Sequence, residues 1–307
     1  MDFKKIVIVL LVLIFVATLV LFKQDKNSDN ISSKQSVILS TFALYDISKF
    51  IAKDKFEIST VLPFGSDAHS FELTPKKMAQ IQDADLFVYS GAALEPWVSK
   101  FSSQKSLDMS LHVELIHMQD DEHHHSHHEH EDEEAVDPHY WLDLKNMQKM
   151  ADVLTDEFTK LSPDNKNFFE TNKKEYVSKL ADMDKRYEQE FKECKKDTIV
   201  VNHNAFSYLG KKYSFHIESI NGLSNDSMPS PSVIKDILHV IEHEKISVIF
   251  FESFASDKLI KSIAKDANVK VDTLQPLGNI TKDEKDLTYF QIMDENIKKI
   301  KQALECR

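Results

Sequence analysis

Between Ser162 and Cys194 the residues Phe169, Tyr176, Leu180, Met183, Tyr187, Phe191 and Cys194 recur at helical spacing on one stripe. Ser162, Pro163 and Asp164 supply an N-cap, a proline at the first helical position and an acidic first turn. The pattern predicts one helix over 162–194, on the order of 45 Å long at ~1.5 Å per residue. So long a helix must have its apolar stripe covered, and the flanking sequence offers the cover. On the N-terminal side, 36–41, 57–62 and 85–89 read as strands. They alternate with helices over 45–52 and from Thr74, where Pro75 takes the first helical position. On the other side 198–202, 216–219, 246–251 and 269–273 read as strands again. Strands alternating with helices are the sequence form of a parallel α/β sheet. The expected fold class is therefore α/β: an N-terminal lobe over 36–160, a linker helix over 162–194 and a C-terminal lobe over 195–307.

Ahead of this body, Lys4 and Lys5 precede an apolar run over 6–22, and Lys23 opens polar sequence. This is an export signal. No cysteine follows to accept a lipid, and the small residue Ala17 lies inside the apolar run rather than after it. The expectation is that 1–23 is retained as an N-terminal anchor with the body outside the cytoplasm, a cleaved signal peptide being the alternative. The only cysteines, Cys194 and Cys306, are free to pair in such a compartment, and their spacing neither requires nor excludes it. It does exclude a CxxC site.

Two function classes fall away on composition. A formal net charge of -12 provides no basic face for nucleic acid. The five glycines, Gly65, Gly91, Gly210, Gly222 and Gly278, cannot spell a dinucleotide fingerprint or a phosphate-cradling loop.

The chain has 14 histidines, unevenly placed. His123, His124, His125, His127, His128 and His130 crowd into 119–134, which continues Glu131-Asp132-Glu133-Glu134 and contains no apolar residue. Such a segment cannot bury itself and reads as a solvated loop, where imidazole and carboxylate offer weak, fast binding to several zinc-like ions. His69 stands in Gly65-Ser66-Asp67-Ala68-His69-Ser70-Phe71-Glu72, between a strand and a proline-started helix. His139 stands in Asp137-Pro138-His139-Tyr140-Trp141-Leu142-Asp143, just after the histidine-rich loop, and His203 ends the strand Ile199-Val200-Val201-Asn202-His203. In open α/β sheets ligands bind beyond the carboxyl ends of the strands, where these three side chains can meet.

These motifs, with Ala84-Asp85-Leu86-Phe87-Val88-Tyr89-Ser90-Gly91, Asn202-His203-Asn204-Ala205-Phe206-Ser207-Tyr208-Leu209 and Val248-Ile249-Phe250-Phe251-Glu252, stand in an order that resembles the solute-binding proteins of bacterial zinc and manganese ABC importers. The resemblance implies two Rossmann-like α/β lobes joined by a rigid helix, with a metal in the cleft between them. By position it implies His69, His139 and His203 as ligands to Zn²⁺, carried as cargo in the periplasm or on the outer face of the membrane. It also implies delivery to a membrane permease by a monomer. The acidic histidine-rich insert resembles that of zinc-selective members; a manganese-type member or surface adhesin is the alternative. Many members carry an aspartate where Gln275 stands here, so a water is the expected fourth ligand, with Glu252 as a substitute. Neutral imidazole is required, so acid is expected to release the ion near the ordinary histidine pKa of ~6.5.

One motif competes. His239-Val240-Ile241-Glu242-His243 matches H-x-x-E-H, an inverted zinc-peptidase pattern. Val233, Ile234, Ile237, Leu238 and Ile241 define the buried stripe of its helix, which turns His239 and His243 toward solvent. A catalytic zinc could not be enclosed there, and the expectation is a binding protein rather than an enzyme.

Overall fold

Period-two alternation in the first strand sets the layering. β1 (Ser36–Leu39) sends Val37 and Leu39 into one apolar cluster and Ile38 into another on the opposite face. Both faces are therefore covered, as a parallel sheet requires. The computed structural model describes residues 34–100, 105–117, 136–222, 229–252 and 258–307; the expected anchor over 1–23 and the histidine-rich loop over 119–134 lie outside them.

After β1 come α1 (Phe42–Ala52), β2 (Glu57–Thr60), α2 (Pro75–Asp83), β3 (Leu86–Tyr89) and β4 (Ser106–Asp108). Thr74 caps α2 by accepting from the Lys77 amide, with Pro75 at the first turn as the sequence predicts. The strands pair in parallel in the order β2-β1-β3-β4. A short antiparallel pair follows, β5 (Ile116–His117) with β6 (Val136–Asp137).

Two helices pack next. Asp143 accepts from the Lys145 amide and caps α3 (Leu144–Leu161), which buries Met147, Met150, Leu154 and Phe158. The predicted linker helix is α4 (Lys166–Glu190), entered through a 3₁₀ turn at Pro163–Asn165. It is shorter than 162–194 at both ends. Proline favours the tight first turn, and beyond Glu190 the chain turns to run beside the C-terminus, where Lys195 and Arg307 amides bond Leu304 and Glu193 carbonyls. Phe169, Tyr176, Leu180, Met183 and Tyr187 form the buried stripe.

The second half repeats the first: β7 (Thr198–His203), α5 (Ser207–Tyr213), β8 (His216–Asn221), α6 (Pro231–His243), β9 (Val248–Glu252), α7 (Lys258–Asp266), β10 (Lys270–Leu274) and α8 (Tyr289–Leu304). Its parallel order is β10-β9-β7-β8. Read from the other edge, each sheet runs second, first, third, fourth, so each has its switch point between its first and third strands. Ile199 and Val201 on β7 face the large shared core, whereas Val200 joins a separate cluster with Ile237, Ile241 and Ile249.

The shared core contains residues of both sheets, of α4 and of α8. Arg186 and the Tyr187 hydroxyl both bond Asp294, at 2.8 and 2.7 Å, and tie α4 to α8. Phe42 and Gly65 amides reach the Gly278 and Ile280 carbonyls, each at 2.9 Å, which stitches the first half to the second. Cys194 and Cys306 are joined in a disulfide. Among the described residues, no helix is long and apolar enough to cross a membrane.

Candidate metal centre

His203 is the last residue of β7 and Glu252 the last of β9, neighbouring strands at the switch point of the second sheet. Both are buried, and the Glu252 carboxylate lies 2.6 Å from His203 Nδ1. The carboxylate orients the ring and leaves Nε2 as its metal-binding atom. Glu252 is therefore a partner of the His203 ring, and it also lines the cavity.

His139 is held the same way. Asp137, fully buried at the end of β6, accepts from the His139 amide at 2.9 Å and sits 2.8 Å from its Nδ1 through the same oxygen. The backbone carbonyl of Asp137 accepts from the Tyr208 hydroxyl of α5 at 2.8 Å, so this turn is anchored to the second half. His69 follows an Asx turn in which Asp67 accepts from the His69 amide at 2.9 Å. Its loop is pinned by Asn279, whose amide group donates to the carbonyls of Pro63 at 2.6 Å and Ser66 at 2.8 Å.

The three rings converge through Nε2: His69 and His139 are 3.2 Å apart, His139 and His203 3.5 Å. One donor atom from each lies within 4.8 Å of the other two. Nitrogens bound tetrahedrally to zinc at ~2.0–2.1 Å stand about 3.3 Å from one another, close to the two separations of His139 from its neighbours. The cavity they line has a volume of about 20 Å³. That is room for one water-sized body. Leu94, Trp141, Glu252, Pro276, Gly278 and Asn279 are among its other walls.

Burial, and secondarily the charge of His139, pushes the His69 pKa down to about 3. Burial pushes His203 well below the ordinary value too, helped by His139 and His69. These rings stay neutral, as a metal ligand must, well below the ordinary pKa.

Gln275 stands away from the fourth position. The Gln275 amide group donates to Glu284 at 2.8 Å, and Glu284 accepts from the Thr281 amide in a capping turn. From that segment Pro276, Gly278 and Asn279 reach the cavity and Gln275 does not. Of the exposed motif on α6, neither His239 nor His243 enters the cavity. Asp137 and Asn279 carry no ligand pattern of their own. The one local signal for Asp137 is its place two residues before a candidate histidine, the span of an Asx turn.

Comparison with known proteins gives a family match over residues 37–303, described as "Zinc-uptake complex component A periplasmic". The chain is 36% identical over 289 residues to the "High-affinity zinc uptake system protein ZnuA" of Bacillus subtilis, covering 91% of this chain and 90% of that one. It is 29% identical to the "Zinc-binding lipoprotein AdcA" of Streptococcus pneumoniae over 91% of its own length, but spans 58% of that longer protein. The crystal structure of the Zn(II)-bound ZnuA-like domain of the pneumococcal AdcA superposes with a TM-score of 0.73 at 29% identity, covering 89% of this chain and 99% of the domain.

Proposed function

Because the chain belongs to the family of periplasmic zinc-uptake component A proteins, we propose that it captures Zn²⁺ outside the cytoplasmic membrane and delivers it to an ABC-type permease. The observation that carries this reading is the convergence of His69, His139 and His203 through Nε2 at zinc-like separations. The ion is cargo. His139 and His203 are pre-oriented by Asp137 and Glu252, whose two carboxylates balance the charge of a divalent cation. Neutral, buried imidazoles favour zinc over manganese, which prefers oxygen donors. His69, the least buried of the three, is the ligand that opens first on release.

No covalent step is required, so the protein acts as a binding component and not as an enzyme. Residues 1–23 serve as its export signal and anchor, and the Cys194–Cys306 disulfide supports an oxidising location. The body works as a monomer. Residues 119–134 collect ions weakly and pass them to the cleft.

Zinc and manganese titrated in competition, in the full chain and in a variant lacking residues 123–134, test this reading. The expected result is one tight, zinc-preferring site in both and fewer weak sites in the variant. A manganese preference, or loss of the tight site with the loop, would overturn it. So would unchanged tight binding in His203→Ala.

A further inference from the structure

The motif His239-Val240-Ile241-Glu242-His243 at the end of α6 is unused by the cleft. Ile237 and Ile241 bury one side of the helix, leaving His239, Glu242 and His243 exposed on the other. The two imidazoles sit one turn apart with ring centroids at 6.0 Å and planes only 12° from parallel. They stand side by side, at the i, i+4 spacing with which one helix presents two histidines to a single zinc.

His243 carries a second feature. Its Nδ1 lies 2.8 Å from a carboxylate oxygen of Glu244, which leaves Nε2 as the outward donor atom. That is the arrangement of His139 with Asp137 and of His203 with Glu252. It turns the other ring nitrogen outward as the ligating atom. His243 is also the last residue of its helix, the end whose dipole favours a cation.

We infer that His239 and His243 form a second site, on the surface, for one divalent late-transition ion such as Zn²⁺. It is separate from the cleft. Two protein ligands leave the remaining positions to water, so the ion is bound more weakly than in the cleft and exchanges freely. A peptidase zinc needs a third protein ligand and an enclosed site. This one has neither, and it is an ion-binding site only.

The test uses the full chain with the six loop histidines, His123 to His130, replaced by Asn, so that loop ions do not mask the signal. The protein is loaded with one equivalent of zinc and then titrated with more zinc by calorimetry. One further, weaker ion per chain is expected. His239→Ala and His243→Ala should each abolish that second phase and leave the first ion's affinity unchanged. Glu244→Gln should weaken the second phase about tenfold or more. Both histidines are exposed, so their removal should not disturb folding, and unchanged thermal melting checks this. Absence of a second phase in the parent would overturn the proposal. Its persistence in His239→Ala would also do so, assigning the ion to other surface histidines such as His112 or His216.

Discussion

Nδ1 of His203 and the carboxylate of Glu252 lie 2.6 Å apart, at the ends of two adjacent parallel strands and both out of contact with solvent. One strand supplies the ring that would touch the ion, and its neighbour supplies the charge that aims it. Glu252→Gln keeps the shape and removes that charge. Zinc affinity should drop about 10–100-fold with the melting profile little changed, as read by competition with a chromophoric chelator. Full retention of affinity would reduce Glu252 to a packing role.

Asn279 links the second half to the loop that carries His69, through the carbonyls of Pro63 and Ser66. Asn279→Ala leaves both acceptors without this donor, at a cost of about 1–3 kcal/mol for each that stays buried. Because His69 lies three residues beyond Ser66, zinc release should speed up as well. Stopped-flow transfer of zinc to a chelator measures this. A variant that is destabilised but releases zinc at the parent rate would show that the latch does not position His69.

The metal-free protein should show a histidine-linked dependence of stability on pH. His69 falls to about 3 and His203 well below its usual value in the folded state. Between ~6.5 and those folded values the unfolded chain binds more protons, so this contribution is complete above ~6.5 and is lost as pH falls. Two buried carboxyls act oppositely. Burial raises Glu95 to about 7 and Asp46 to about 6, so they favour the folded state as pH falls through those values. The informative quantity is therefore the difference between parent and His69→Asn in urea unfolding at about pH 7 and about pH 5. The parent should lose more stability relative to the variant at the lower pH; equal pH dependence would contradict the buried, neutral state of His69.

The disulfide joins Cys194, just past α4, to Cys306, just past α8, across a sequence separation of 112. Opening so long a loop in the unfolded chain should cost about 2–4 kcal/mol of stability. Cys194→Ser with Cys306→Ser should lower the unfolding free energy read from urea titration by that amount. Neither cysteine lines the metal cavity, so zinc affinity should hold. Loss of affinity in a folded double variant would couple the two ends of the molecule.

Local sequence determined the elements whose information is local. Short apolar runs mark β1, β3 and β7, and helical spacing from Phe169 to Tyr187 marks α4, because each pattern reports burial within one segment. His69, His139 and His203 could be singled out because each follows a strand or turn signal. Only tertiary structure decided what surrounds them. Glu252 meets His203 because β9 pairs with β7, a contact 49 residues apart in sequence that no local spacing encodes. Gln275 turns to Glu284 because that carboxylate already closes a capping turn, and the competition between two possible destinations is settled by which partner the fold brings within reach. The disulfide depends likewise on α4 and α8 ending side by side. A strand or helix can be read from one face of one segment, whereas a buried polar group takes whichever partner packing supplies, and that partner is set by the whole chain.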